Sequence, residues 1–317
     1  METTKPPNVR VADAAGVAEA ARVLVAGGTV AVPTETVYGL AARADSAKAV
    51  AGIYRAKGRP DFNPLIVHLP DLAAGEALAE FCPRTRALAE AFWPGALTIV
   101  LPRRIDAPLT AAVSAGLSTV ALRVPAHPIM RAVLVAAGLP LAAPSANRSG
   151  AISPTNAAHV VASLGGRADL ILDGGSTKQG LESTIVAVRP EGEWEILRPG
   201  PITEAAIMAI LGAQTRVVNS GEVRIEAPGQ LASHYAPGKP VRLEALAAEP
   251  GEFLIGFGPV LGAVSLSLRG DLAEAAAQLY ACLHLAAAAR EPRIAVAPIP
   301  DAEIGKAIND RLRRAAV

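Results

Sequence analysis

Aromatic residues make up only 3% of the 317-residue sequence, which disfavours a platform on which single-stranded nucleic acid could stack. Cysteine is scarce: Cys82 and Cys282 stand far apart in unrelated contexts, which argues against a disulfide framework or a Cys-based metal site. Neither sign of charge is in excess. With 30 Lys and Arg against 29 Asp and Glu the net charge is +1, so no bulk attraction to nucleic acid is implied and any anion site must be built locally. Hydrophobic residues reach 51%, yet no run of about 18 apolar residues escapes interruption by Pro, Gly or charge, which argues against a membrane span. The Ala- and Leu-rich stretch 272–289 carries Glu274, Gln278, Tyr280 and His284 and reads as a buried helix. The start, METTKPPNVR, lacks the apolar core of a signal peptide, and the tail through Pro7 reads as a loose arm. The common phosphate loops are missing too: there is no Walker A pattern and no GxGxxG after a strand. A nucleotide bound here needs a different architecture.

What is present is alternation. The length suggests two domains and allows a large core. Over the first 200 residues, strand-like apolar runs at 30–32, 65–69, 97–101, 119–124, 139–143, 170–172, 184–188 and 194–197 alternate with helical patterns. Helices are expected at 85–92, 128–137, 155–164 and 203–212, and Ser46 is placed to cap another in which Val50, Ile53 and Tyr54 share a face. This is an α/β unit, 10–212, with a sizeable sheet. The hairpin signal Pro190-Glu191-Gly192-Glu193 makes that sheet mixed. Residues 213–240 lose periodicity and gain Asn219-Ser220-Gly221, Pro228-Gly229 and Pro237-Gly238, the pattern of a linker. A smaller α/β unit, 241–317, follows. Its strands are expected near 241–245, 253–257, 263–268 and 294–299. Asp271 caps a long helix with Glu274 set for a capping box, and Asp301 caps the last one.

Seven segments carry candidate chemistry. Pro33-Thr34-Glu35-Thr36-Val37-Tyr38-Gly39-Leu40 ends a strand in hydroxyl and carboxylate groups; it is either a ligand-binding strand end or a turn. Lys57-Gly58-Arg59-Pro60 closes a helix in two cations. They either satisfy the helix dipole or present a point charge and a guanidinium fork to phosphate from a loop stiffened by Pro60 and Pro64. In the strand 65–69, Ile66 and His68 share one face while Leu65, Val67 and Leu69 share the other; His68 is a core residue or a site residue. Arg123 faces away from Val120, Leu122 and Val124. If buried it needs a carboxylate, from the protein or from a ligand. Ala143-Pro144-Ser145-Ala146-Asn147, running on to Ser153, Pro154 and Thr155, is a polar loop or an anion site at a helix start. Glu182-Ser183-Thr184 and Leu197-Arg198-Pro199-Gly200 are each weak alone.

Together these segments resemble one family, the threonylcarbamoyl-AMP synthases in their long form. The matching elements are PTETVYGL at 33–40, KGRP at 57–60, NPLIVH at 63–68, ALRVP at 121–125, APSAN at 143–147, ESTIV at 182–186, LRPG at 197–200 and SHYAP at 233–237. Ala41 departs from relatives that carry another Gly after GL. The resemblance implies a YrdC-like domain with a large twisted mixed sheet and a small Rossmann-like C-terminal domain. It implies a cytoplasmic nucleotidyltransferase that joins L-threonine, bicarbonate and ATP into L-threonylcarbamoyl-AMP and pyrophosphate for tRNA modification. By the same resemblance Thr36, His68, Arg123, Ala143 and Ser183 hold threonine. Arg59, Asn63, Thr119, Ser145, Ser153, Arg198 and Tyr235 hold ATP, and Lys57 joins Arg59 as a catalytic cation near the phosphates. Mg²⁺ is expected with the triphosphate, bound by phosphates and water with no dedicated protein ligand. A separate tRNA threonylcarbamoyl transferase is the implied downstream partner, with direct tRNA contact left open. Because Tyr235 lies in the linker, 213–240 is expected to fold over the site as a lid. The alternatives are an RNA-binding module, disfavoured by charge and aromatic content, and a carbamoyl-transfer domain acting on another acceptor.

Overall fold

The computed structural model describes residues 6–189, 193–213 and 234–317. The first part of the chain runs β1 (Val9–Val11), α1 (Ala14–Val25), β2 (Val30–Pro33), β3 (Tyr38–Arg43), α2 (Ala47–Lys57), β4 (Ile66–His68), α3 (Leu72–Glu76), α4 (Pro83–Phe92) and β5 (Leu97–Pro102). It continues through α5 (Ala111–Ser114), β6 (Thr119–Arg123), α6 (Pro128–Ala137), β7 (Leu141–Ala142), α7 (Ala157–Leu164), β8 (Leu170–Asp173), β9 (Thr184–Val188), β10 (Trp194–Arg198) and α8 (Glu204–Leu211). The strands form one 10-stranded mixed sheet in the order β1-β8-β2-β3-β7-β4-β6-β5-β9-β10.

Strand alternation divides the residues between the two sheet faces. On one face Ala31, Leu40, Ala42, Val67, Leu122 and Ile171 join the main core, over which α2 packs on β3, α4 on β5 and α5 on β6. On the other, Val30, Val32, Leu170 and Leu172 meet Met130, Val133 and Leu134 of α6 and Ala20 and Leu24 of α1. Farther along this second face lie Ile66, Ala121, Val100 and Ile185. The functional cavity opens there, because His68 and Arg123 point the same way as Ile66.

Some features differ from the sequence expectation. PTETVYGL is not only a strand end: Tyr38–Arg43 continues as an antiparallel strand against β2. The connecting turn is closed by the Thr34 hydroxyl, which accepts from the backbone N–H of Thr36 and Val37 at 3.2 Å and donates to the Val37 carbonyl at 2.7 Å. Tyr38–Ala42 is buried throughout, so no polar alternation marks it as a strand. Asp301 does not cap the last helix, which begins at Gly305 without a side-chain cap. The Asp301 carboxylate accepts instead from Asn309 Nδ2 at 3.0 Å.

The smaller sheet contains β11 (Val241–Arg242), β12 (Glu252–Gly256), β13 (Val264–Ser265) and β14 (Arg293–Val296), all parallel, in the order β11-β14-β12-β13. It packs with α9 (Leu272–Ala288) and α10 (Gly305–Ala315). Asp271 caps α9 by accepting from the Glu274 N–H at 2.7 Å. The Glu274 carboxylate turns to Ser267 Oγ at 2.7 Å, so the capping box is half formed. The core of this unit extends across the seam to Val37, Ile152 and Leu181 of the first unit. Most of the segment expected as linker and lid, and residues 190–192 of the expected hairpin turn, lie outside the described residues.

Candidate active site

The site starts from register. β4 and β6 are parallel neighbours with His68 opposite Arg123, and both side chains are buried. Arg123 Nη2 donates to Glu35 Oε1 at 2.6 Å and to Thr36 Oγ1 at 3.0 Å, and Nε donates to the Gly95 carbonyl at 3.1 Å. The other carboxylate oxygen, Glu35 Oε2, accepts from the backbone N–H of Ala126 at 3.1 Å and His127 at 3.3 Å. Burial pushes the Glu35 carboxyl up, but the Arg123 charge and its hydrogen bond outweigh this, and the net shift is downward. His68 is held neutral: burial, then the Arg123 charge, bring its imidazole down to about 3. Its Nδ1 is buried without a partner among the described residues.

A second group of side chains brings positive charge. Gly58 ends α2 in the left-handed region, φ 60°, a conformation that suits glycine, and the chain turns there to deliver Arg59. Arg59 donates through Nε to the Asn63 carbonyl at 3.3 Å and through Nη2 to the Pro64 carbonyl at 3.0 Å. Arg198, at the end of β10, donates through Nε to the Ser183 carbonyl at 3.1 Å and through Nη2 to Ser183 Oγ at 3.2 Å. Lys57 Nζ donates to the carbonyls of Ser145 at 2.5 Å and Asn147 at 2.6 Å. All three cations are buried, and none has a carboxylate within 4.0 Å among the described residues. Burial is the leading cause lowering the pKa of each, Arg59 to about 10. Buried charge without a counter-ion is costly, so an anion entering this region would be met by these cations.

The wall is completed by Glu182 and by His234 and Tyr235. Glu182 accepts from Ser153 Oγ at 2.5 Å, from Tyr280 Oη at 2.8 and 3.0 Å and from Arg311 Nε at 3.0 Å. Burial raises its carboxyl pKa, but Arg311, Arg198 and the hydroxyl donors bring it down to about 2. Tyr235 is a buried non-glycine residue at φ 67°, a backbone state that costs free energy and tends to mark functional sites.

The Sua5/yciO/yrdC family model, described as telomere recombination, matches residues 22–200. The model described as threonylcarbamoyl-AMP synthase, C-terminal domain, matches residues 202–317. The threonylcarbamoyl-AMP synthase of Bacillus subtilis is 41% identical over 95% of this chain and 92% of its own length. The chain belongs to the threonylcarbamoyl-AMP synthase family. Sua5 of Pyrococcus abyssi, solved in complex with L-threonine, superposes with a TM-score of 0.88 at 34% identity, covering 98% of this chain and 97% of its own. The H234A/Y235A variant of that protein superposes at 0.85 with 33% identity, over 95% of this chain and 92% of its own.

Within this family member the cavity brings together Thr36, Arg59, His68, Arg123, Ala143, Ser145, Ser183, Arg198 and Tyr235 of the expected site residues. Four others stand outside its wall. Lys57, expected as a catalytic cation, is not a lining residue, and its Nζ donates to the two loop carbonyls. Ser153 spends its hydroxyl on Glu182. Asn63 keeps its side-chain oxygen buried and without a partner among the described residues, while its carbonyl serves Arg59 and Tyr54. Thr119 begins the strand that Arg123 ends, which separates the two by roughly 13 Å. Sequence reasoning missed Glu35, Glu182 and His234 as wall or support residues, although all three lie inside matched motifs. It also missed Tyr280 and Arg311, which no local pattern distinguishes from other residues of amphipathic helices.

Proposed function

We propose that the chain binds L-threonine at Arg123, Thr36 and His68 and ATP at Arg59, Arg198, Ser145 and Tyr235, and joins them through a carbamate into L-threonylcarbamoyl-AMP. The observation that carries this reading is the continuity of two unlike subsites in one cavity: a neutral histidine beside an anchored arginine, next to buried cations that lack carboxylate partners. The first subsite suits a small zwitterion bearing a hydroxyl. Arg123 faces the amino-acid carboxylate, while Thr36, neutral His68 and Ser183 face its amine and hydroxyl. The second suits a polyphosphate, since charge-assisted hydrogen bonds from guanidinium groups are the strong ones.

The chemistry asks for positioning more than for a covalent group. The threonine amine takes up bicarbonate with loss of water to give a carbamate. A carbamate oxygen then attacks the α-phosphorus of ATP, and the bond to the β-phosphate breaks to release pyrophosphate. The protein holds the reacting atoms close and meets developing negative charge with Arg59 and Arg198. Lys57 serves this reading by holding the 145–147 loop. The described residues contain no group of three or more His, Cys, Asp or Glu side chains for a resident metal, and the two carboxylates at the site are spent on arginines. Mg²⁺ in this scheme enters with ATP, held by phosphates and water. The product passes to a separate tRNA-modifying transferase, in the cytoplasm where ATP and tRNA are at hand.

The test is pyrophosphate release with purified protein and ATP, comparing threonine with serine and valine, with and without bicarbonate. Release that requires both threonine and bicarbonate is expected. Equal release with every amino acid, or with none, rules the reading out.

A further inference from the structure

The two halves of the cavity are supported differently. Every side-chain hydrogen-bond partner of Arg123, Glu35 and Thr36 among the described residues lies between Thr34 and His127, and the Glu35 carbonyl accepts from the Gln179 N–H at 2.9 Å, all inside the first unit. The cationic half leans on the second unit. Two of the three side chains that hold the Glu182 carboxylate are Tyr280 of α9 and Arg311 of α10. Arg311 is fully buried, and its guanidinium carbon lies 5.5 Å from the centroid of the Tyr235 ring. Tyr280 stacks on the same ring at 5.5 Å with 29° between the planes. The residue after Glu182 is Ser183, whose carbonyl and hydroxyl accept both hydrogen bonds made by Arg198. The loop leading to Glu182 is pressed against α9 at Gly180, where an added Cβ would lie 2.5 Å from the carbonyl oxygens of Ala276 and Ala277. One mechanical chain therefore runs from Arg311 through Glu182 and the Ser183 backbone to Arg198, while the Ser183 hydroxyl is also held from the first unit by Thr98 Oγ1 at 2.7 Å; a shorter chain runs from Arg311 and Tyr280 to Tyr235.

We propose that Arg311 and Tyr280 are positioning residues for the nucleotide half of the site: the C-terminal unit sets the affinity for ATP while leaving threonine binding to the N-terminal unit. This inference rests on the functional reading above. It goes beyond an ordinary interface ion pair, because an ion pair that merely joins two units would affect both substrates, or neither, once the chain is folded. Arg311 touches no reacting atom. Its Nε bond fixes Glu182, and its charge under Tyr235 fixes the ring that faces the nucleotide.

The variants Arg311→Met, Arg311→Lys and Tyr280→Phe, in the full chain, separate these possibilities. Threonine affinity is measured by calorimetry without ATP, and the KM for ATP by threonine-dependent pyrophosphate release. Arg311→Met is expected to raise the ATP KM tenfold or more, Tyr280→Phe several-fold, and Arg311→Lys to fall between wild type and Arg311→Met, all with threonine affinity within twofold of wild type. An ATP KM within twofold of wild type in all the folded variants overturns the proposal, as does a parallel loss of threonine affinity. Should Arg311→Met fail to fold, Tyr280→Phe, which removes one hydroxyl from a packed ring, decides by the same criteria. Wild-type protein that releases no pyrophosphate with threonine overturns the functional reading itself, a result distinct from normal wild-type turnover with unaltered variants.

Discussion

Arg123 illustrates what a single residue in a strand can and cannot reveal. Its alternation against Val120, Leu122 and Val124 shows that it leaves the core face, and an arginine there must find a carboxylate. Which carboxylate is a three-dimensional matter: Glu35 lies 88 residues away and meets it at 2.6 Å. The pair is nearly inaccessible to water, with side-chain exposures of 4% and 9%. Breaking such a pair by removing one partner strands a buried charge and costs about 3–5 kcal/mol, whereas replacing both with apolar residues of similar volume is often close to neutral. Glu35→Ala is therefore expected to lower the unfolding free energy by about 3 kcal/mol or more. The double variant Glu35→Leu with Arg123→Met should recover at least half of that loss while failing to bind threonine. Urea denaturation and calorimetry read the two effects. A double variant no more stable than Glu35→Ala would show that the ion pair is not the source of the loss.

At the scale of elements, β4 and β6 were legible because each has one apolar face and one bearing a functional group, and α6 because Pro128 opens it and Gly138 closes it at φ 61°. The strand Tyr38–Arg43 was not, because burial on both faces erases the period-2 signal. The start of α10 was misjudged because Asp301 followed by a helical pattern imitates an N-cap, while the described chain makes a further turn before Gly305. The loop between β8 and β9 gives a prediction at this scale. Gly180 has φ 69° and no room for a Cβ against α9, whereas Gly175 has φ 79° and nothing within 4 Å of such a Cβ. Left-handed backbone costs an alanine about 1–2 kcal/mol, and overpacking adds about 1–3 kcal/mol. Thermal denaturation should accordingly show Gly180→Ala to be more destabilising than Gly175→Ala by at least the overpacking contribution. Equal losses at the two positions would mean that the loop does not bear on α9.

For the whole molecule, the shared seam carries buried titrating groups whose shifts set an acid limit. His68 and His234 stay neutral in the folded chain down to about 3, burial being the main cause, against an ordinary value of 6.5. The unfolded chain takes up protons on these residues first, so their contribution to stability is complete above about pH 6.5 and is lost as the pH falls from there toward 3. Glu182 is shifted from 4.5 down to about 2. Its contribution is complete above 4.5 and lost as the pH falls through that lower window. The urea midpoint is expected to fall between pH 6.5 and 5. In His68→Gln the slope over that range should be shallower than in wild type. Identical midpoints at pH 7.5 and 5 in the wild type would contradict these assignments.

What the sequence determined by itself was the alternation of strands and helices, the faces on which His68 and Arg123 lie, and the motifs that mark the family. These are local properties, readable from the period of apolar residues and from side-chain chemistry within a few positions. Only the tertiary structure decided which carboxylate holds Arg123, that the Lys57 ammonium donates to the carbonyls of Ser145 and Asn147, and that Tyr280 and Arg311 support the wall from the far end of the chain. Each of these depends on bringing together groups 88 to 129 residues apart. Buried polar groups must find partners wherever the fold puts them, and the strand order that sets those meetings leaves no mark on local periodicity.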